Sequence, residues 1–143
     1  MKRLVFFFIV ALALTACDID SSHNGALDGN WQLTSVDSIF SSFSRDTRED
    51  LTFWAVQKDL LEVKDIKKQV PSVFLRFNHG NDYLIVYDPV IDNRDSSDII
   101  LKDTSLLQYY YIDEVPYKLD IVKLTSSKMV LQTQKVRLNF RKY

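Results

Sequence analysis

Cys17 is the single cysteine of this 143-residue chain, and the residues before it, Leu14-Thr15-Ala16, prepare it for one particular chemistry. A basic start at Lys2-Arg3 leads into the apolar run Leu4–Leu14, which ends on small side chains. Charge, apolar run and small residues are the three parts of a secretory signal, and a cysteine at the cleavage point makes it a bacterial lipobox. There the thiol accepts a diacylglyceryl group, a peptidase cuts before the cysteine, and the new amine is acylated. The run falls short of the roughly 20 apolar residues a membrane-spanning helix needs. Residues 1–16 are therefore predicted as a lipoprotein signal peptide and Cys17 as a lipid anchor. The expected location is the bacterial cell envelope, at the outer membrane.

Other reactive groups are scattered. His23 and His79 have no nucleophile near them in sequence, and Glu49-Asp50 and Asp113-Glu114 read as solvated loop acids. No nucleophile elbow, phosphate-binding loop or Cys/His zinc spacing occurs. Asp88, Asp92, Asp95 and Asp98 offer hard oxygen ligands of the kind calcium takes, but the spacing misses the EF-hand, no glycine makes its turn, and Arg94 intrudes. That loop reads as solvated. The sequence thus predicts no enzyme, no cofactor and no metal. Tyr109-Tyr110-Tyr111, with Tyr117 nearby, combine apolar area with hydroxyl groups, which suits either ligand or partner contact or a packing patch at a rim. On a strand, consecutive tyrosines would point to both faces. Trp54 joins them as a candidate contact; because Phe53 precedes it, only one of the two can line an interior.

Cleavage before Cys17 removes Lys2 and Arg3, so the 18 Lys and Arg fall by two against 19 Asp and Glu. An acid excess argues against nucleic acid, which demands a concentrated basic face. One domain is expected at this length. With no second cysteine, stability must come from packing, and a composition 46% hydrophobic and 13% aromatic suffices for that.

The elements that must position these groups are mostly strands. Residues 17–28 are polar and small and read as the lipidated cysteine followed by a flexible tether. From Gly29 onward, short alternating segments predict strands near 30–36, 51–57, 60–63, 72–77, 83–87, 98–101, 119–125, 128–133 and 136–141, the pattern of an all-β sandwich or barrel. Segments 38–50 and 103–111 are open between helix and loop. Turns at Ser126-Ser127 and Gln134-Lys135 independently agree on one apolar face formed by Val122, Leu124, Met129, Leu131, Val136, Leu138 and Phe140, with Arg137, Asn139 and Arg141 opposite. A one-residue slip would put every apolar group in water, so this meander is strongly specified. A second hairpin turns at His79-Gly80, with Leu75 opposite Leu84 or Ile85. Phe74 cannot share a face with Val73, Leu75 and Phe77, so both sides stay apolar and need cover; Ile39, Phe40 and Phe43 are the expected cover.

Gly29-Asn30-Trp31 resembles the Gly-x-Trp signature that opens lipocalin barrels. That resemblance implies an eight-stranded antiparallel up-and-down barrel over 29–143, Trp31 packed across the closed base, and an arginine of the last strand, Arg137 or Arg141, stacked on it. The wider layout is similar to the small lipocalin-like lipoproteins of Bacteroidetes. The shared features are the lipobox, Leu27 to Leu33, the Phe53 to Gln57 strand, and Leu-x-Phe-x-Lys from Leu138 to Lys142. Two functions follow as expectations. In one, a membrane-anchored barrel binds a small apolar or amphipathic ligand. In the other, the barrel is filled and its outer surface contacts an envelope protein partner.

Overall fold

The structure is a computed structural model that describes residues 22–93 and 95–143. The signal peptide, Cys17 and the first part of the expected tether lie outside the described residues.

Among the described residues ten strands form: β1 (Gly29–Ser38), β2 (Ser44–Asp46), β3 (Thr52–Gln57), β4 (Leu60–Asp65), β5 (Val73–His79), β6 (Tyr83–Ile91), β7 (Ile99–Ile100), β8 (Tyr117–Leu124), β9 (Lys128–Gln132) and β10 (Val136–Lys142). Eight of them close a ring in the order β10-β9-β8-β6-β5-β4-β3-β1, with β1 pairing back onto β10. Every pairing in the ring is antiparallel. Closure leaves the ring without a free edge, which is how an up-and-down barrel avoids edge-to-edge association. β2 pairs with β1 and β7 with β6, both outside the ring. This is the lipocalin-like barrel the sequence predicts.

Period-two alternation decides what goes inside. Leu61 and Val63 of β4, Val73 and Leu75 of β5, and Leu84 and Val86 of β6 are at most 1% exposed, whereas Arg76 and Asn78 face water. The meander has the expected register at Leu124–Met129, Leu131–Leu138 and Met129–Phe140. Val122 is a correction. A bulge between Ile121 and Lys123 pairs Ile121 with Leu131, and Val122 is left 51% exposed. Strict alternation cannot foresee the extra residue, which bends the strand as closure requires.

The β5–β6 hairpin also departs from both expected registers. His79 pairs with Leu84 and Phe77 with Val86, and a bulge sets Asp88-Pro89 opposite Leu75. Val73, Leu75, Phe77, Leu84 and Val86 consequently share the core, while Phe74 stays outside and half-buried. The expected cover is absent. Phe40 and Phe43 are 80% and 65% exposed, in a turn joining β1 to β2 that stands at one end of the barrel rather than over Phe74. The reason is local: beyond Thr34 the chain of β1 leaves β3 and pairs with β2 instead, drawing residues 38–50 to its own side.

Segment 103–111 resolves as a helical turn. Residues Thr104–Tyr110 form a 3₁₀ helix whose cap, the Asp103 carboxylate, accepts from Ser105 N. It ends where Tyr111 takes the left-handed conformation at φ 63°. The alternation argued for the tyrosines on a strand therefore does not apply.

Candidate functional site

A lipocalin-type barrel offers three places for chemistry: its base, its mouth and its outer wall. The base is built from the two chain ends. Residues 22–28, expected as tether, pack beneath the barrel, with Leu27 fully buried in a short 3₁₀ turn, Gly25–Leu27. Asn24 ties this segment to the β3–β4 turn by donating to the Lys58 carbonyl, and its carboxamide oxygen meets His79 Nε2 at 3.2 Å. Trp31 is 0% exposed and donates its indole N–H to the Leu27 carbonyl at 2.7 Å. Buried indoles usually find such a partner.

The cation over Trp31 is neither expected arginine. Lys142 Nζ lies 4.6 Å from the ring centroid and donates to the Ala26 and Asp28 carbonyls at 3.0 and 2.7 Å. Register explains the correction, because Trp31 is opposite Lys142 whereas Arg141 is opposite Gln32 and Arg137 opposite Asp37. Arg141 and Arg137 point outward and bond Gln32 and Gln132 respectively. Gly29 belongs to the same device. Its φ is +130°, and a Cβ there would stand 3.0 Å from Lys142 Cε, so only glycine admits the lysine arm. The terminal Leu-x-Phe-x-Lys pattern held the signal for Lys142; its role needed the β1–β10 register. Lys142→Met keeps the apolar arm but loses the cation and two hydrogen bonds, and is expected to cost about 1–3 kcal/mol by chemical denaturation.

The mouth is closed by the 3₁₀ helix. Leu107, Tyr110 and Ile112 are fully buried, and the Tyr110 hydroxyl donates to the Pro71 carbonyl at 3.0 Å. Burial, helped by the Asp65 carboxylate, pushes the Tyr110 phenol well above the ordinary tyrosine range. Tyr109 is shifted the same way by the same causes and reaches Asp65 Oδ2 at 3.4 Å. That carboxylate accepts from Lys67 N and Gln69 N at 2.8 Å each, which anchors the β4–β5 turn against the plug. Tyr117 is half-buried at the same rim, its phenol raised mainly by burial, and Tyr111 is half-buried in the helix cap. The structure thus brings the four tyrosines to one end of the barrel, with Tyr110 as packing and Tyr109 as the most exposed.

Between base and mouth the interior is lined by buried apolar side chains. Trp54 lines it, its ring 5.3 Å from Phe140 and tilted 55° to it, while Phe53 faces outward against Tyr143. Trp54 Nε1 is buried and has no hydrogen-bond partner. Two sizeable clefts lie on the outer wall. One of about 460 Å³ runs along Leu60, Phe74, Arg76 and Val90, with Asp88, Asp92 and Asp98 at its edge. Another of about 700 Å³ separates the β2 arm from β9 and β10 and is lined by Ser35, Asn139, Lys128 and Arg141. Among the described residues, no three His, Cys, Asp or Glu side chains gather closely enough to hold a metal.

Closed ring, plugging tryptophan and terminal cation together define a lipocalin-class barrel base. The comparisons agree. The model of the lipocalin-like domain family matches residues 12–143, and the chain belongs to that family. A lipocalin-like protein from Bacteroides uniformis superposes with a TM-score of 0.63 at 17% identity, over 83% of this chain and all of that one. An uncharacterized protein from Bacteroides eggerthii reaches a TM-score of 0.48 at 15% identity, over 81% of this chain and 98% of that one. No curated protein matches.

Proposed function

We propose that this protein is a lipid-anchored module of the bacterial envelope that acts through its outer surface, its barrel serving as a rigid, filled scaffold. The observation that carries the reading is the uneven placement of exposed apolar side chains. Phe40, Phe43, Ile66, Ile99 and Ile100 are each more than half exposed and stand on the turns and the short strand at the mouth end, against Val122 and Tyr143 toward the base. The chain enters at the opposite end, beneath Trp31. A barrel held at its base through Cys17 would therefore present these tips away from its own membrane, to an envelope protein partner. Exposed apolar groups gathered at one end of a barrel are what partner surfaces carry.

Two measurements test the reading. Mass spectrometry of the protein recovered from bacterial membranes should show a chain beginning at Cys17 with an added diacylglyceryl and acyl mass, and Cys17→Ser should move it to the soluble fraction. A photo-crosslinker at position 40 should give one discrete adduct in cells, absent when it is placed at Asp82 near the base. An unmodified cysteine sinks the anchor, and identical patterns at both positions sink the partner.

The unpaired Trp54 Nε1 favours a second reading, a small amphipathic ligand that gives this donor an acceptor inside the barrel once the 3₁₀ plug moves. Native mass spectrometry showing a retained small molecule would support it; a bare chain mass from cells would count against it.

A further inference from the structure

Charge is strongly segregated along the chain in a way the total conceals. Residues 117–143 carry seven basic side chains and one acid, whereas residues 17–116 carry nine basic against eighteen acidic. The first group is β8, β9 and β10, so the acidic barrel has one basic wall. Lys123, Lys128, Arg141 and Lys142 stand at its base end, while Lys58 and Arg76 lie at the base on the β3–β5 side. Arg141 and Lys128 are directly opposite each other across β10 and β9, and Lys123 is paired with Val130 on the same outer face. Like charges directly opposed on a sheet destabilise it unless something neutralises them. Arg141 is oriented through Nε by Gln32 Oε1 at 2.8 Å, and Gln32, only 2% exposed, is itself held by the Arg48 carbonyl. Lys123 and Lys128 have no acidic partner among the described residues. Beside this pair lies the outer cleft of about 700 Å³, which Asp37 and Asp46 also line and where Asn139 already donates to Ser35 and Asp37.

We propose that this base-end part of the β8–β10 wall, centred on Lys123, Lys128 and Arg141, rests on the anionic headgroups of the bilayer to which the chain is tethered. The inference rests on the anchored reading above. The length of chain outside the described residues selects the bilayer over a soluble polyanion. Cys17 and Ser22 are five residues apart and span at most about 18 Å, and the segment after Ser22 is fastened to the base through Asn24. The field of an anionic leaflet fades within roughly 10 Å. Only base-end cations can lie within it, and the wall places its unpaired cations there. Lipid phosphates between Lys128 and Arg141 would relieve their repulsion.

The test uses the chain from Ser22 to Tyr143, which contains every described element and has no lipid of its own. It should sediment with phosphatidylglycerol-containing vesicles and not with purely zwitterionic ones, and salt should release it. Lys123→Glu/Lys128→Glu/Arg141→Glu should lower the binding constant on the order of 100-fold, with Lys→Gln and Arg→Gln replacements intermediate and the thermal melt retained. Lys67→Glu/Lys102→Glu at the mouth end should leave binding unchanged. No preference for anionic vesicles, equal loss from the mouth-end variant, or binding to soluble heparin but not to vesicles would each overturn the proposal. Since Cys17 is absent from this chain, failure here leaves the anchor untouched, and an unlipidated Cys17 in cells would show as a separate result.

Discussion

Trp31→Ala is expected to lower the free energy of unfolding by about 3–5 kcal/mol, measured as a reduced denaturant midpoint with an unchanged slope. The indole is fully buried, fills the base, donates to the Leu27 carbonyl and lies beneath Lys142. Removing it leaves a cavity that the rigid ring cannot collapse around, an unpaired carbonyl at Leu27, and an ammonium deprived of its aromatic face. A loss below about 1 kcal/mol would mean that the base relaxes and that Trp31 is not its plug. Trp31→Phe should recover part of the loss, because it restores ring area without the N–H.

Tyr110→Ala is the second large effect, with an expected cost of about 3–5 kcal/mol by analogy with other buried aromatic truncations. It should also open the mouth, read as uptake of an environment-sensitive apolar dye. Tyr110→Phe should exclude the dye and cost only about 1 kcal/mol, chiefly from the Pro71 carbonyl left without its donor. The two variants have separate pH signatures. A phenol whose folded pKa is raised holds its proton more tightly in the native state. Its stabilisation is complete below the unfolded value near 10 and disappears as pH rises from there toward the folded value. Wild-type protein should therefore lose stability above about pH 10 more steeply than Tyr110→Phe. Parallel alkaline profiles for the two would sink this account of the plug.

Much of the fold was legible because local chemistry repeats. In the C-terminal meander two turns independently impose one apolar face, so Leu131 and Leu138 could be paired by counting, and they are paired. Counting fails where one residue is added, as at Val122, or where two oppose one, as at Asp88-Pro89. A bulge answers the curvature of a closed ring, which no single hairpin contains. The tyrosines failed for another reason: a run of three is equally at home on a strand or in a helical turn, and the choice fell to the barrel mouth that Tyr110 fills. The basic wall was hidden because its residues alternate with core residues on each strand and become neighbours only when β8, β9 and β10 lie side by side.

The sequence by itself determined the class of fold, the lipobox pattern ending at Cys17 and the tryptophan at Trp31, since periodicity, spacing and a short motif are properties of neighbours along the chain. Tertiary structure decided which cation covers Trp31, what closes the mouth, and where the charges gather. Each of these depends on strands far apart in sequence, with Trp31 and Lys142 brought opposite each other only by closure of β1 on β10.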